Sequence, residues 1–429
     1  MKTLNILIFF LLTTQALWSQ TRVKIYELES LTDSAIKYYA ISKQAQIDQQ
    51  INTQNTANIK SSWNPQMQLN GQISYQSDVP KITIPLPGFS APEIAKDWYK
   101  LNLDLSQLIY DGGASRQLQE IESTNLAIEL QKNNQHIYHF REMIAGIYFR
   151  VLLFDQQLNV LHSSLNGLQQ LIDEMNTAVD AGTILISEAN KLKVEKMQIK
   201  QQITSAQAGR KASLEMLSVF THIEFSAADS LLIPVASVDE VTLKLQRPEL
   251  HLFELQQQLF HNRQQLTKTK RRPVIQAFGQ AGYGRPGYNM LDDDFAIYAM
   301  AGIRFNYKLW DWKNSQRERE TLKLGQEAIG LQKADFEQQI TAAARSKIAE
   351  ISKFEQLIEQ DKAIISLQKT ILQTSTSQLK AGTLTSAGYL LELEKYNQRL
   401  INLKINRLQL YNTIIQLNFI TGNTSVYED

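Results

Sequence analysis

The feature that most constrains this chain is a long internal repeat. Leu105-Ser-Gln-Leu-Ile-Tyr-Asp111 aligns with Phe305-Asn-Tyr-Lys-Leu-Trp-Asp311, and Ala181-Gly182-Thr183 recurs as Ala381-Gly382-Thr383, both at an offset of 200 residues. Phe220-Thr221 and Ile420-Thr421 keep the same offset, while Asn64-Pro65 and Arg272-Pro273 stand 208 apart. The difference of eight falls between Ser77 and Trp98, where the first half carries a longer loop. Four landmarks in register, each at a change of local pattern, define an architecture of two similar halves. Each half reads as strand, loop, strand, long helix, tight turn, helix.

The strands are expected over Pro65–Gln76 and Trp98–Tyr110 in the first half, and over Pro273–Tyr283 and Phe295–Trp310 in the second. All alternate with period two, the signature of a sheet with one apolar and one polar face. Met67, Leu69, Ile73 and Tyr75 share one side of the first strand, opposite Gln66, Gln68, Asn70 and Gln72. Ile297, Ala299, Ala301, Ile303 and Phe305 share one side of the fourth, opposite Arg304, Asn306 and Lys308. Such alternation suits a soluble sandwich or a membrane barrel. Strands of this length span a bilayer when tilted, and aromatics such as Trp63, Tyr75, Trp98, Tyr110, Tyr283 and Trp310 crowd their ends as in an interfacial girdle. Both points favour the barrel.

The N-terminus agrees. Lys2, the nearly unbroken apolar run Leu4–Leu12 and the small polar stretch Thr13–Ser19 have the three-part form of a secretory signal, with cleavage expected near Ser19 or Gln20. The chain has no cysteine, which excludes a lipoprotein anchor or disulfide framework in this sequence. After residue 20 no stretch of about 18 apolar residues follows, so no transmembrane helix is expected. Lys plus Arg is 44 and Asp plus Glu 43; so even a balance argues against a nucleic-acid partner, which calls for a basic face. Four strands cannot close a barrel, and an open edge in lipid leaves backbone groups unsatisfied. The chain must therefore oligomerise. Two, three or four copies meet that demand, and the preferred trimer gives twelve strands.

From Ser115 to Val179 there is no proline and glycine only at 146 and 167; Asn314–Leu379 also lacks proline. Such a run makes a helix on the order of 100 Å long at about 1.5 Å per residue. Ile137, Phe140, Ile144, Ile147, Val151 and Leu152, then Leu158, Leu161, Leu165, Leu168 and Ile172, recur at steps of three and four, a coiled-coil-like seam. Return helices are expected over Ile184–Phe220 and Leu384–Ile420, and further helices over Glu27–Lys60 and Pro248–Lys268. The domain plan is a signal at 1–20, a first repeat at 21–222, a partly irregular connector at 223–247, a second repeat at 248–422 and a tail at 423–429.

With these residues in place, the chain resembles the TolC-like outer-membrane efflux proteins over essentially its whole mature length. The resemblance rests on Leu108-Ile-Tyr-Asp111-Gly112-Gly113 at a strand-to-helix junction, on the Ala-Gly-Thr turns at 181–183 and 381–383, and on the duplicated plan. It implies a homotrimer with a 12-stranded outer-membrane barrel continued by an α-helical barrel through the periplasm of a Gram-negative bacterium. It also implies a closed inner end that opens when a periplasmic adaptor and an inner-membrane pump engage. The second half departs from the pattern, because Asp311 is followed by Trp312-Lys313 instead of two glycines.

Chemistry at these positions reads as architectural. Glycine supplies the φ freedom at 112 and 113, and Asp111 and Asp311 are expected to cap the helices that follow. In Ala-Gly-Thr, glycine ends one helix and Thr183 or Thr383 is expected to cap the next; the two turns would form the tip that an adaptor grips. Asp180 and Lys380, at matching places before the turns, would set three carboxylates and three ammonium groups near a constriction, as a candidate gate. His136, His139 and Glu142 share a helix face at a spacing compatible with a metal, but a solvated or interhelical role is the expectation. Asp292-Asp293-Asp294 lies in an outer loop where a solvated role is favoured over cation binding. No nucleophile–base–acid arrangement, P-loop or dinucleotide motif is present, so neither catalysis nor a cofactor is expected. The functional expectation is a passive export conduit; the alternative is an envelope-anchored coiled-coil spacer without transport, which would not need four alternating strands.

Overall fold

A computed structural model describes residues 24–79, 95–234, 244–289 and 292–423. The expected signal at 1–20, most of the loop between Ser77 and Trp98, part of the connector and nearly all of the tail lie outside the described residues. The elements in order are β1 (Ile25–Tyr26), α1 (Leu28–Tyr38), a 3₁₀ turn (Ala40–Lys43), α2 (Gln44–Ser61), β2 (Gln66–Tyr75) and β3 (Asp97–Tyr110). Next come α3 (Ala114–Asp180), α4 (Ile186–Thr221), β4 (Ser230–Leu231) and α5 (Pro248–Thr269). β5 (Val274–Arg285), β6 (Ala296–Asn306), α6 (Asn314–Lys380) and α7 (Ser386–Thr421) complete the chain. Helices α3 and α6 hold 67 residues each, and α4 and α7 hold 36 each.

The chain forms two compact units. One comprises Met1–Lys43, Asn133–Pro248 and Asp335–Asp429; the other comprises Gln44–Lys132 and Glu249–Ala334. The first unit is helical and holds two apolar clusters. In one, Leu31 of α1, Ile144, Tyr148 and Leu152 of α3, Leu217 of α4 and Ile415 of α7 are almost fully buried. In the other, Leu168, Ile172 and Met175 of α3 pack with Leu192 and Ile199 of α4 and Tyr389 of α7. Of these α3 residues, Ile144, Leu152, Leu168 and Ile172 belong to the three-and-four seam read from sequence, while Tyr148 and Met175 add to it, as an amphipathic stripe requires.

A strap closes over the first cluster. β1 and β4 pair in parallel, Ile25 with Ser230 and Tyr26 with Leu231. Asp229 fastens it, accepting from Lys24 N at 3.1 Å and from Ser226 N at 2.8 Å. Arg210 of α4 donates to the Ala227 carbonyl at 3.1 Å and, through Nε, to Asp155 of α3 at 2.5 Å. Burial pushes the Asp155 carboxyl pKa upward, and the Arg210 guanidinium opposes that shift without cancelling it. From below, the fully buried Tyr148 directs its hydroxyl at the carbonyls of Tyr26, at 2.9 Å, and Leu232. Thus the connector carries a short strand, although its sequence reads as irregular.

Two expected elements change at their ends. The helix expected over Glu27–Lys60 breaks at Tyr39, which takes extended angles (φ −67°, ψ 121°) and stacks on Phe140 with ring centroids 4.0 Å apart. Strand β6, expected to reach Trp310, stops at Asn306. Its counterpart in the other half, β3, runs to Tyr110 because β5 stays paired with it beyond Ser106, where β2 has ended. Among the described residues no helix is long and apolar enough to cross a membrane.

The strap makes a prediction. Tyr148→Phe removes the donor shared by two part-buried carbonyls and should cost about 1 kcal/mol. Urea unfolding of the detergent-solubilised protein measures the loss. Faster hydrogen exchange at the Leu232 amide, which donates to Tyr26 O at 2.9 Å, would place the loss in the strap.

Candidate functional site

The second unit holds a four-stranded antiparallel sheet in the order β2-β3-β5-β6. Its register puts apolar residues opposite apolar residues on one side: Leu69 faces Leu103, Leu101 faces Tyr283, Tyr283 faces Ile297 and Ile275 faces Phe305. Among the described residues nothing covers this side. Ile73 is 79% exposed, Ile297 84% and Ile303 71%. An aliphatic side chain left in water forgoes about 1.5–3 kcal/mol relative to burial, and an unbroken field of them marks an interaction surface.

The other side is polar and internally bonded. Asp104 of β3 accepts from Asn70 of β2 and from Gln280 of β5, both at 2.6 Å. Tyr288 donates to Gln280 Oε1 at 2.9 Å, and Tyr298 of β6 donates to Asn102. Gln, Asn, Asp and Tyr thus form a hydrogen-bonded lattice across all four strands, chemistry suited to lining water. At one rim Arg285 pairs with Asp293 at 2.9 Å, and Asp293 also accepts from Ala95 N at 3.1 Å. Asp293 is therefore engaged in holding loops together, the role its acidic neighbours Asp292 and Asp294 did not reveal. Among the described residues no group of three His, Cys, Asp or Glu could hold a metal; His139 Nδ1 lies 3.7 Å from Glu142.

At the sheet's other end the strands pass into helices. Asp111 Oδ1 accepts from Gly113 N at 2.8 Å and Oδ2 from Ser115 N at 2.6 Å, capping α3. Gly112 and Gly113 take φ of 70° and 87°, conformations that glycine adopts without steric cost. Burial works to raise the Asp111 carboxyl pKa, but the Ser115 and Gly113 hydrogen bonds outweigh it and hold the group below the ordinary carboxylate value. Asp311 repeats the cap, accepting from Ser315 N at 3.1 Å and Ser315 Oγ at 2.5 Å. Yet Trp312 and Lys313 occupy the positions of the two glycines with φ of 51° and 61°. The backbone keeps its shape there and carries the strain.

The helix turns are two copies of one motif. Thr183 N bonds to Ala178 O at 3.0 Å and Gly182 N to Val179 O at 2.9 Å; Thr383 and Gly382 do the same with Gln378 and Leu379, both at 3.0 Å. This is a Schellman ending with glycine left-handed at φ 73° and 72°. The expected capping by Thr183 and Thr383 is corrected: their hydroxyls donate back to Ala178 O and Gln378 O at 2.9 and 3.1 Å. The next helices begin later, α4 after Leu185, which offers no side-chain cap, and α7 after Thr385, whose Oγ accepts from Gly388 N at 3.3 Å. Ala181 and Ala381 close the preceding helices through bonds to Thr177 O and Ser377 O.

Lys380 meets Glu174 at 2.7 Å, while Asp180 is exposed. Within one chain, then, the ion pair of Lys380 is with Glu174 of α3, which precedes Asp180 by six residues. Glu188 joins the two hairpins, accepting from Ser386 N at 2.7 Å; hydrogen bonds from Lys191 and then Ser386 lower its pKa. Sequence reasoning missed Glu174, Glu188 and the Asp104 lattice, since no local pattern distinguishes them from solvated neighbours.

This combination defines a class by its fold: a four-stranded sheet with one apolar and one polar face, together with two long helical hairpins, is the fold that solved outer-membrane proteins share with this chain. Solved structures with that fold match nearly the whole chain. VceC from Vibrio cholerae, an outer membrane protein, superposes with a TM-score of 0.69 at 12% identity, covering 92% of this chain and 96% of its own. CusC gives 0.71 at 13% identity over 92% and 91%; the CmeC outer membrane channel of Campylobacter jejuni gives 0.66 at 14% over 92% and 85%. No protein-family model and no curated protein sequence matches.

The depressed Asp111 pKa sets an expected pH dependence. A carboxylate with a lowered folded-state pKa contributes stability above its unfolded pKa of about 3.9, and that contribution fades as pH falls through the folded value. Asp111→Asn should therefore flatten the acid limb of the stability profile. Asn caps about as well as Asp, so at neutral pH the variant should lose only the part of the stability that the lowered carboxyl pKa represents. Denaturation midpoints from neutral pH down to about pH 2 would show an undiminished acid limb if the cap were unimportant.

Proposed function

We propose that this chain is the outer-membrane channel component of a tripartite efflux system. Three copies join into a 12-stranded barrel whose apolar face meets lipid and whose polar lattice lines a water-filled lumen. The long helices of the three copies continue the lumen as a tunnel through the periplasm of a Gram-negative bacterium. The protein is a passive conduit and not an enzyme: a periplasmic adaptor and an inner-membrane pump open it and supply the energy.

One observation carries this reading. A sheet with an exposed apolar side and two open edges cannot exist in lipid alone, because each unsatisfied backbone group there costs several kcal/mol. The fold likeness supports it, since CmeC and the Neisseria gonorrhoeae MtrE are described as outer membrane channels. In this reading 21–222 and 248–422 are repeats that each give two strands and a helical hairpin to a shared wall, with 223–247 as the connector between them. Gly112, Gly113 and Asp111 in one half, and Asp311 in the other, turn barrel wall into tunnel wall.

The turns Ala181-Gly182-Thr183 and Ala381-Gly382-Thr383 face the adaptor at the periplasmic tip. Asp180 and Lys380 form a charged ring near the closed end, with Glu174 sharing the Lys380 charge. Two measurements test the whole. The protein should run as a heat-dissociable trimer in detergent and should conduct in planar bilayers; a monomer without pore activity would overturn the reading. Asp180→Ala combined with Lys380→Ala should raise conductance or alter ion selectivity, and unchanged values would remove these two residues from the gate.

A further inference from the structure

The edges of the sheet carry more information than their openness. We infer that neighbouring copies join β6 to β2 in one register, copied from the β3–β5 seam inside the chain, with Trp312 of one copy seated beside Asn64 of the next. This rests on the proposal that copies close a barrel, and specifies how.

The two hairpins superimpose residue by residue. Moving β2 by 208 residues and β3 by 200 carries the pair Gln66–Ser106 onto Val274–Asn306, and Tyr75–Asp97 onto Tyr283–Ile297. Under the same shift Gln68, Gly71, Gln72 and Tyr75 fall on Gln276, Gly279, Gln280 and Tyr283, four identities in a ten-residue strand. β6 is therefore the counterpart of β3, and β2 the counterpart of β5. Inside the chain β3 already pairs with β5: Leu101 with Tyr283, Leu103 with Ala281, Asp104 with Gln280 and Leu105 with Gly279. The corresponding pairs between copies are Ala301 with Tyr75, Ile303 with Ile73, Arg304 with Gln72 and Phe305 with Gly71. Every one keeps apolar beside apolar or glycine on the outer face, and polar beside polar within.

The same template accounts for the short β6. In the internal seam β3 continues beyond Ser106, with Leu108 opposite Gln276 and, after a bulge, Tyr110 opposite Ile275. Lys308 opposite Gln68 and Trp310 opposite Met67 of the next copy would extend β6 to the length its alternation implies.

Side-chain size at the junction is exchanged between the two seams. In the internal one, a Cβ on Gly112 would lie 2.6 Å from Cβ of Arg272, and Arg272 donates to Gly112 O at 2.8 Å. Glycine there leaves room for a long partner. At the matching place between copies the long residue is Trp312, 78% exposed in the single chain, and Arg272 is replaced by the shorter Asn64. Bulk against a small partner recurs with the sides reversed.

Cysteine pairs test the register, because the chain has no cysteine of its own. Ile303→Cys with Ile73→Cys should oxidise to a ladder ending at a cross-linked trimer. Ile303→Cys with Gly71→Cys or Tyr75→Cys should lose that ladder, since a two-residue slip moves the Cα atoms beyond disulfide reach of about 7 Å. Trimers that cross-link best in a slipped pair would overturn the inferred register and leave the channel reading intact; no oligomer in any variant would sink both. For the junction, Asn64→Arg should abolish the heat-dissociable trimer, and adding Trp312→Gly and Lys313→Gly should restore it. Native trimerisation of Asn64→Arg alone, or no restoration by the added glycines, would overturn the seating of Trp312.

Discussion

A backbone N–H or C=O facing hydrocarbon without a partner costs several kcal/mol, and β2 and β6 each present a row of them. That single cost organises the rest. A soluble sheet can leave its edges to water and protect them with charge or proline. This sheet has no such device along β6, where Ala296–Asn306 offers only Arg304 as a charge. Its apolar side, from Ile73 to Ile303, is open as well. In the proposed channel lipid satisfies the face and only another strand satisfies the edge, which makes membrane insertion and assembly one requirement rather than two.

The helical unit answers a different demand. Helices of 67 residues cannot gain enough from propensity alone to hold a fixed path, and tertiary packing of one stripe must do it. Here the stripe is buried in two clusters against α4 and α7, and the strap adds a polar clamp at one of them. Asp155 shows the balance in that clamp. Removing its charge from water is costly enough that Arg210 at 2.5 Å does not bring its pKa back to the ordinary value. Partly buried pairs of this kind are weak evidence for net stability but disfavour loss of either partner alone. The clamp therefore fixes where the strap lies more than it deepens the fold.

Much of this was legible in the sequence, for identifiable reasons. The strands announced themselves through period two, because one face must be apolar along its whole length. The helix turns announced themselves through glycine, since few other residues take the left-handed angle at 182 and 382. What stayed hidden depended on partners distant in sequence or outside the chain. No local signal marks Tyr39 as a break, because its stacking partner Phe140 lies 101 positions away. Thr183 reads equally well as the cap of the next helix or the closure of the last, and only the geometry of the turn decides. The Asp104 lattice needed a register before Asn70 and Gln280 became its neighbours.

The asymmetry between the two junctions follows from where their partners come from. A duplicated chain begins with identical halves, and the internal and external seams then face different constraints. The internal seam forms within one molecule and needs no partner from solution, so a flexible glycine pair that costs backbone entropy on folding is tolerated. In the proposed trimer the external seam recruits a second molecule and must pay for lost rotational and translational freedom. Large, pre-ordered contacts help there, and an aromatic ring supplies the most area for the fewest rotatable bonds. Left-handed angles at Trp312 and Lys313 cost roughly 1–2 kcal/mol each, a penalty the backbone of that turn imposes on any residue other than glycine. A ring that buries most of its surface against a neighbour offsets that amount. On the inferred register, the strain and the exposure at Trp312 are two sides of one condition: a residue unfavourable in the single chain has its environment completed by the neighbouring copy.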